Sequence, residues 1–237
     1  MNLSEIIPWG RSFAEYREMF ELDKHEMNMK ILGCGDGPAS FNGEANGCGS
    51  RVVSCDPIYQ FSATEIATRI EAALTIVREQ LEMTKEKYIW SRFTSVDGLC
   101  ADRMHAMQTF LHDYPHGREE GRYITGSLPQ LPFEDREFDL ALVSHFLFLY
   151  SKQLSLEFHH AALNELLRVA DEVRIYPLVT LEGEDSVFLA PVIEMLAQNP
   201  GISCEKVKVS YRFQRNAEYM LRIRKTTNRA LPQTDER

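Results

Sequence analysis

Apolar and polar residues along this chain alternate between two periods, and the alternation orders its elements. The first strong signal is the stretch Met29 to Asp56. Met29, Ile31 and Leu32 form an apolar run, followed by Gly33-Cys34-Gly35-Asp36-Gly37 and a segment able to form a short helix. A second apolar run, Val52-Val53-Ser54-Cys55, is closed by Asp56. The pattern reads strand, glycine loop, helix, strand, acid. Before it, Ser12 can cap a helix whose aromatics Phe13, Tyr16 and Phe20 recur at helical spacing. After it, Ser62 and Glu65 have capping-box spacing, and Ile66, Ile70, Leu74, Val77 and Leu81 make one apolar stripe.

The pattern then departs from simple strand–helix alternation. Met83 to Arg122 holds Tyr88, Trp90 and Phe93, then a predicted helix with Met104, Met107, Phe110 and Leu111. Asp113-Tyr-Pro-His-Gly117 reads as a turn. Tyr123-Ile124-Thr125 is a predicted short strand, and Phe138 to Ser144 a longer buried one. Leu156 to Val169 has a helix face, Val173 to Ile175 lies in a strand, and Val187 to Ala197 is a predicted helix. Cys204 to Tyr211 and Glu218 to Arg224 alternate as an antiparallel pair does. Thr226 to Arg237 is polar and expected to fray.

With 237 residues the chain suits one α/β domain with a large core. A net charge of −9 argues against general nucleic-acid binding, because phosphates attract Lys and Arg. The five cysteines, Cys34, Cys48, Cys55, Cys100 and Cys204, are odd in number and lack C-x-x-C spacing, so reduced thiols and no metal site are expected. No apolar run is long enough to span a bilayer and no signal pattern opens the chain, which points to the cytoplasm.

The glycine loop carries the chemistry. Glycines let a backbone turn sharply off a strand and let a ligand lie close to it. An acid ending the next strand can accept both hydroxyl hydrogens of a ribose. The spacing is G-x-G-x-G with Pro38 in the sixth position, which departs from the G-x-G-x-x-G of nicotinamide enzymes and opposes an oxidoreductase. Together with Leu131-Pro132-Phe133-Glu134-Asp135 and Phe138-Asp139 leading into a strand, the chain resembles class I S-adenosylmethionine-dependent methyltransferases, as a small bacterial-type member. The resemblance covers roughly residues 29–225, apart from the insertion.

That resemblance implies a doubly wound α/β fold, a Rossmann-like seven-stranded sheet ordered 3-2-1-4-5-7-6. Helices would lie on both faces, with a helical insertion (83–122) between strands 2 and 3 of a single domain. It implies S-adenosyl-L-methionine as cofactor, held by Gly33, Cys34, Gly35, Gly37 and Asp56, with Pro57, Ile58, Ser127 and Leu128 near the adenine. Gly126-Ser127 departs from the Asp that many members carry there. Ser144 and His145 end the fourth strand beside the transferred methyl. His145 is a candidate general base, since an unperturbed imidazole titrates near neutrality, or a contact through its backbone alone. Residues 1–28 would cover the cofactor, with Arg11 pairing with its methionine carboxylate. Trp9, Tyr59 and Tyr150 are candidates for the acceptor pocket.

No N/D-P-P-Y/F tetrapeptide follows the fourth strand, where Ser144-His145-Phe146-Leu147 stands instead. That counts against amino-methylation of adenine, cytosine or glutamine. No carboxylate cluster suggests a Mg²⁺-dependent catechol enzyme. The residual expectation is methyl transfer to O, N or C of a small molecule. The alternative is a non-catalytic cofactor-binding or interaction protein on the same fold.

Overall fold

The computed structural model describes residues 7–226. Residues 1–6 of the expected cover segment, and the polar tail from 227 onward, lie outside them. Seven strands are formed: β1 Lys30–Cys34, β2 Arg51–Cys55, β3 Tyr123–Ile124, β4 Phe138–Ser144, β5 Ala170–Tyr176, β6 Ile202–Lys208 and β7 Tyr219–Lys225. They make one sheet in the order β3-β2-β1-β4-β5-β7-β6. β7 runs antiparallel to both β5 and β6, and all other pairs are parallel. This is the expected class I methyltransferase strand order.

Strand alternation divides the core in two. Ile31, Val52, Leu140 and Leu142 face one side of the sheet and pack with Tyr16 and Met19 of helix α1 (Phe13–Met19), its C-cap Phe20, and Phe41 of α2 (Phe41–Gly47). Their chain neighbours Leu32, Ala141 and Val143 face the other side, against α5 (Leu156–Val169) and α6 (Leu189–Ala197). Both faces are covered, so the central strands are apolar on both sides, as a mostly parallel sheet requires. α1 begins at a complete capping box of Ser12 with Glu15. Arg174 on β5 fixes the other end of that helix, donating to the Phe20 carbonyl (2.6 Å) and to Glu26 (2.8 Å).

Two helices stand between β2 and β3: α3 (Ala63–Met83) and α4 (Val96–Glu119). The helical insertion is present, and its layering is informative. α4 packs on α2, α3 and β3. The inner stripe of α3 joins the core through Ile66, Ile70, Val77 and Leu81.

One local expectation fails here. Asp113–Gly117 is not a turn, and α4 continues through Pro115 to Glu119. Proline removes one helical hydrogen bond, but its neighbours are anchored. The Tyr114 hydroxyl donates to the carbonyls of Tyr59 and Phe61 (both 2.9 Å), and Asp113 accepts from Arg122 and Tyr123. Near the C-terminus β6 ends at Lys208 rather than Tyr211, because the chain turns inward there and buries Val209 and Tyr211.

Candidate active site

The C-terminal ends of β1, β2 and β4 open onto one cavity of about 820 Å³, in the upper part of the range for small-molecule sites. The glycine loop forms one end. Gly35 (φ +73°) and Gly37 (φ +56°) adopt left-handed conformations that L side chains resist, and a Cβ on Gly37 would meet open space. The Gly35 N–H donates to the Cys55 carbonyl (2.9 Å), which ties the loop to β2. Asp56 completes this end. Its carboxylate accepts from Gly37 N–H (2.9 Å) and Ile58 N–H (2.8 Å). Burial raises its pKa, and those two amides oppose the rise. A carboxylate has about four acceptor positions, so two remain for ligand hydroxyls.

Cys34, Gly35, Gly37, Asp56, Pro57 and Ile58 all line this cavity, as do Ser127, Leu128, Ser144, His145, Tyr150, Trp9 and Arg11. Two expected site residues do not. A Cβ on Gly33 would lie 1.8 Å from the Asp36 carboxylate, so Gly33 is small to make room for Asp36, not for a ligand. Tyr59 turns away from the cavity into a cluster with Phe110, Tyr114 and Tyr123, while its hydroxyl donates to the Gly37 carbonyl (2.8 Å). It supports the loop from behind.

The segment Trp9-Gly10-Arg11 docks directly on the loop. The Ser40 N–H donates to the Arg11 carbonyl (3.1 Å), and a Cβ on Gly10 would fall 2.0 Å from the Pro38 carbonyl oxygen. Gly10 is therefore the residue that permits the approach. The Arg11 guanidinium donates to the Trp9 carbonyl (2.9 Å). Its Nε is shielded and has no partner among the described residues. Burial and then the neighbouring Arg103 lower its pKa.

His145 stands at the end of β4 with φ +52°. Its N–H donates to the Tyr176 carbonyl (2.6 Å), and its Nδ1 lies 2.9 Å from the Ser144 hydroxyl. Burial, then Arg11 and Arg103, hold its pKa well below the usual imidazole value. The expectation of near-neutral titration is corrected: this ring stays neutral at physiological pH and is a weak base.

Several site residues lack a strong sequence signal. Asp36, inside the glycine loop, is buried and accepts from the Tyr16 hydroxyl and the Ser54 hydroxyl, both at 2.7 Å. Burial pushes its pKa up to about 6. The far end of the cavity is formed by Val77 and Leu81 of α3, Arg103 of α4, and Tyr211 and Phe213 beyond β6. Arg103 is paired with Glu15, both fully buried, and the Tyr211 hydroxyl donates to the same carboxylate (2.6 Å). Burial opposes ionisation of Glu15, but Arg103 and Tyr211 hold its pKa down at about 2. Val77 and Leu81 read only as part of the α3 stripe, while Arg103 stands out as a charge inside the stripe Leu99, Arg103, Met107, Phe110.

Comparison with known proteins adds a relative. The uncharacterized protein MJ0045 of Methanocaldococcus jannaschii is 34% identical over 226 residues, spanning 95% of this chain and 99% of that protein. The chain belongs to the family of that archaeal protein. The relative's source gives no support to a specifically bacterial type. No family model matches. Among solved structures, magnesium protoporphyrin IX methyltransferase from Synechocystis PCC 6803, with bound SAH, has a TM-score of 0.42 at 14% identity. The alignment covers 84% of this chain and 74% of that one. The PH0226 protein of Pyrococcus horikoshii OT3 has a TM-score of 0.44 at 15% identity, over 84% and 82%. Among the described residues no helix is long and apolar enough to cross a membrane.

Proposed function

We propose that this protein is an S-adenosyl-L-methionine-dependent methyltransferase acting on a small-molecule acceptor. The observation that carries the reading is the bond from Gly37 N–H to Asp56 across a loop with two left-handed glycines. It presents a carboxylate and a bare backbone to the same cavity that reaches Ser144 and His145. The residues fit the cofactor. Gly35 and Gly37 leave the backbone open to it, Asp56 keeps acceptor capacity for ribose hydroxyls, and Ile58 and Leu128 offer apolar neighbours to an adenine.

Held by Gly35, Gly37 and Asp56, the cofactor would supply an electrophilic methyl on a sulfonium, whose thioether would leave with the carbon–sulfur bond pair as the acceptor's lone pair takes the methyl. The chain's own part is orientation and exclusion of water. His145, kept neutral, can hydrogen-bond the acceptor or wall the pocket, but it is not a strong proton sink. A non-catalytic cofactor-binding protein would use the same loop. The cavity's extension past β4 to Tyr211 and Phe213 favours an enzyme, because the cofactor alone does not need that space.

Calorimetry with S-adenosylhomocysteine tests the cofactor assignment. It should bind the wild type, and ligand at a hundred times its dissociation constant should stabilise the fold by about 2.7 kcal/mol. Asp56→Ala should fold but lose affinity by about 1.5–3 kcal/mol, the worth of hydrogen bonds to a charged group. No binding at millimolar ligand would remove the reading.

A further inference from the structure

The cavity is lined by a buried guanidinium, that of Arg11, which no carboxylate of the described residues pairs. Arg11 and Arg103 both line it. Arg103 is answered by Glu15, whose carboxylate also accepts from Ser12 and Tyr211, and Asp102 lies 3.6 Å from the same guanidinium. Arg11 has no ion-pair partner among the described residues, and its one hydrogen bond goes to a neutral carbonyl. The Nε atoms of both guanidiniums are shielded and unpartnered among the described residues. Buried donors of this kind are normally satisfied, and a buried cation is normally paired.

We propose that the methyl acceptor is itself an anion: a small organic acid whose carboxylate or phosphate sits on Arg11 and Arg103, with an apolar or aromatic body against Tyr88, Tyr176 and Phe213. This rests on the methyl-transfer reading above. Arg103 marks the acceptor end: its Nη2 donates to the Tyr211 hydroxyl (3.3 Å), and the Tyr211 ring packs edge-on against Tyr176 at the end of β5. After burial, Arg103 is the strongest influence on Arg11, ahead of Tyr211, Glu15 and Tyr16, so the two guanidiniums act on one region. One oxyanion would accept from both unpartnered Nε donors and pair the Arg11 cation. Guanidiniums bind oxyanions in bidentate fashion and hold them in a fixed orientation. The bound oxyanion is thus the anchor, and another atom of the acceptor is the nucleophile. The surrounding tyrosines and phenylalanine give a body of matching shape somewhere to lie.

The cofactor's own methionine carboxylate is the other source of such an anion, and the experiment separates the two. The wild type and Arg11→Gln are first titrated with S-adenosylhomocysteine and with its decarboxylated analogue. Each protein, saturated with S-adenosylhomocysteine, is then titrated calorimetrically with benzoate, phenylacetate and phenyl phosphate, and with benzamide and benzyl alcohol as neutral counterparts. The expected result is binding of at least one acid but not of the neutral compounds. Arg11→Gln should weaken that binding by about tenfold or more, the loss expected for a charge-assisted hydrogen bond. It should leave the affinities for the two nucleosides in the wild-type ratio. If Arg11→Gln does not fold, Arg11→Lys keeps the charge, and the wild-type contrast of acid with amide still decides.

Failure of every acid to bind, or equal binding of acids and neutral compounds, overturns the proposal. So does a loss in Arg11→Gln confined to S-adenosylhomocysteine and absent for its decarboxylated analogue, which would assign Arg11 to the cofactor and leave the methyl-transfer reading intact. Wild type that binds no S-adenosylhomocysteine overturns that reading, and the proposal with it.

Discussion

Replacing Asp36 by asparagine should change the pH dependence of stability in a defined window. Asp36 is buried within the glycine loop, and burial lifts its pKa from an ordinary 3.8 to about 6 against the hydrogen bonds from Ser54 and Tyr16. At 1.36 kcal/mol per unit the shift is worth about 3 kcal/mol. The folded state holds the proton more tightly than the unfolded chain does. Asp36 therefore adds stability that is fully present below pH 3.8 and lost as pH rises through about 6. The asparagine side chain does not titrate, so the variant forgoes this loss.

Urea denaturation of both proteins at intervals from pH 4 to 7.5 gives the difference between their unfolding free energies. That difference should move in favour of Asp36→Asn by about 2.4 kcal/mol across the range, the first part of the shift being spent below pH 4. A constant offset is expected as well, because an amide accepts fewer hydrogen bonds than a carboxylate, and it does not affect the slope. Glu15, with its pKa near 2, contributes stability above the ordinary carboxylate range that is lost only as pH falls toward 2. Both proteins share it, so it cancels. A difference that stays flat from pH 4 to 7.5 would show that Asp36 ionises at its ordinary value, and the argument from its burial would be wrong.

Two further outcomes are expected. Glu15→Gln leaves Arg103 buried with no carboxylate of comparable reach, and chemical denaturation should show a loss of about 3–5 kcal/mol, the range for breaking a buried pair from one side. A loss under about 1 kcal/mol, the worth of an exposed pair, would mean that solvent reaches Arg103. Hydrogen exchange with and without S-adenosylhomocysteine should slow in residues 7–20 as well as around the glycine loop, because Gly10 and Arg11 rest on Pro38 and Ser40. Slowing confined to 33–60 and 125–145 would show that the N-terminal segment does not respond to the ligand.

The elements of this fold were legible where a local pattern coincided with a buried face. Helix Leu156–Val169 has the bounds its apolar face predicts, and the Ser62–Glu65 box opens α3 as read. The strand order followed from the resemblance at the glycine loop and the Phe138-Asp139 strand, not from periodicity. What stayed hidden depends on partners distant in sequence. Pro115 reads as a break because the bonds that hold α4 past it come from Tyr114 to Tyr59 and Phe61, more than fifty residues away in sequence.

Gly33 and Tyr59 were misjudged for a related reason. A glycine beside a ligand loop and a glycine beneath a carboxylate look alike in one dimension, and an aromatic next to the site can serve its back as well as its front. The neutral state of His145 comes first from burial and then from Arg11 and Arg103, which only the fold brings beside it. Glu15 reads simply as the acid of a capping box, and that box reveals nothing of its second role in the core.

The Glu15–Tyr211 bond spans 196 residues, and Arg103 reaches Tyr211 across 108. A ribosome delivers this chain from its N-terminus, and domains assemble in step with delivery. β1 to β4, with the glycine loop and Asp56, are all in hand once Ser144 has emerged. Glu15 and Arg103 are then both present but lack the tyrosine that completes their triad, and Arg174, which fixes the end of α1, has yet to arrive. Contacts of such long range form late because loop closure must precede them. The two ends of the cavity therefore have different birthdays: the glycine-loop end can be born while translation is under way, and the arginine end only when the final hairpin leaves the tunnel.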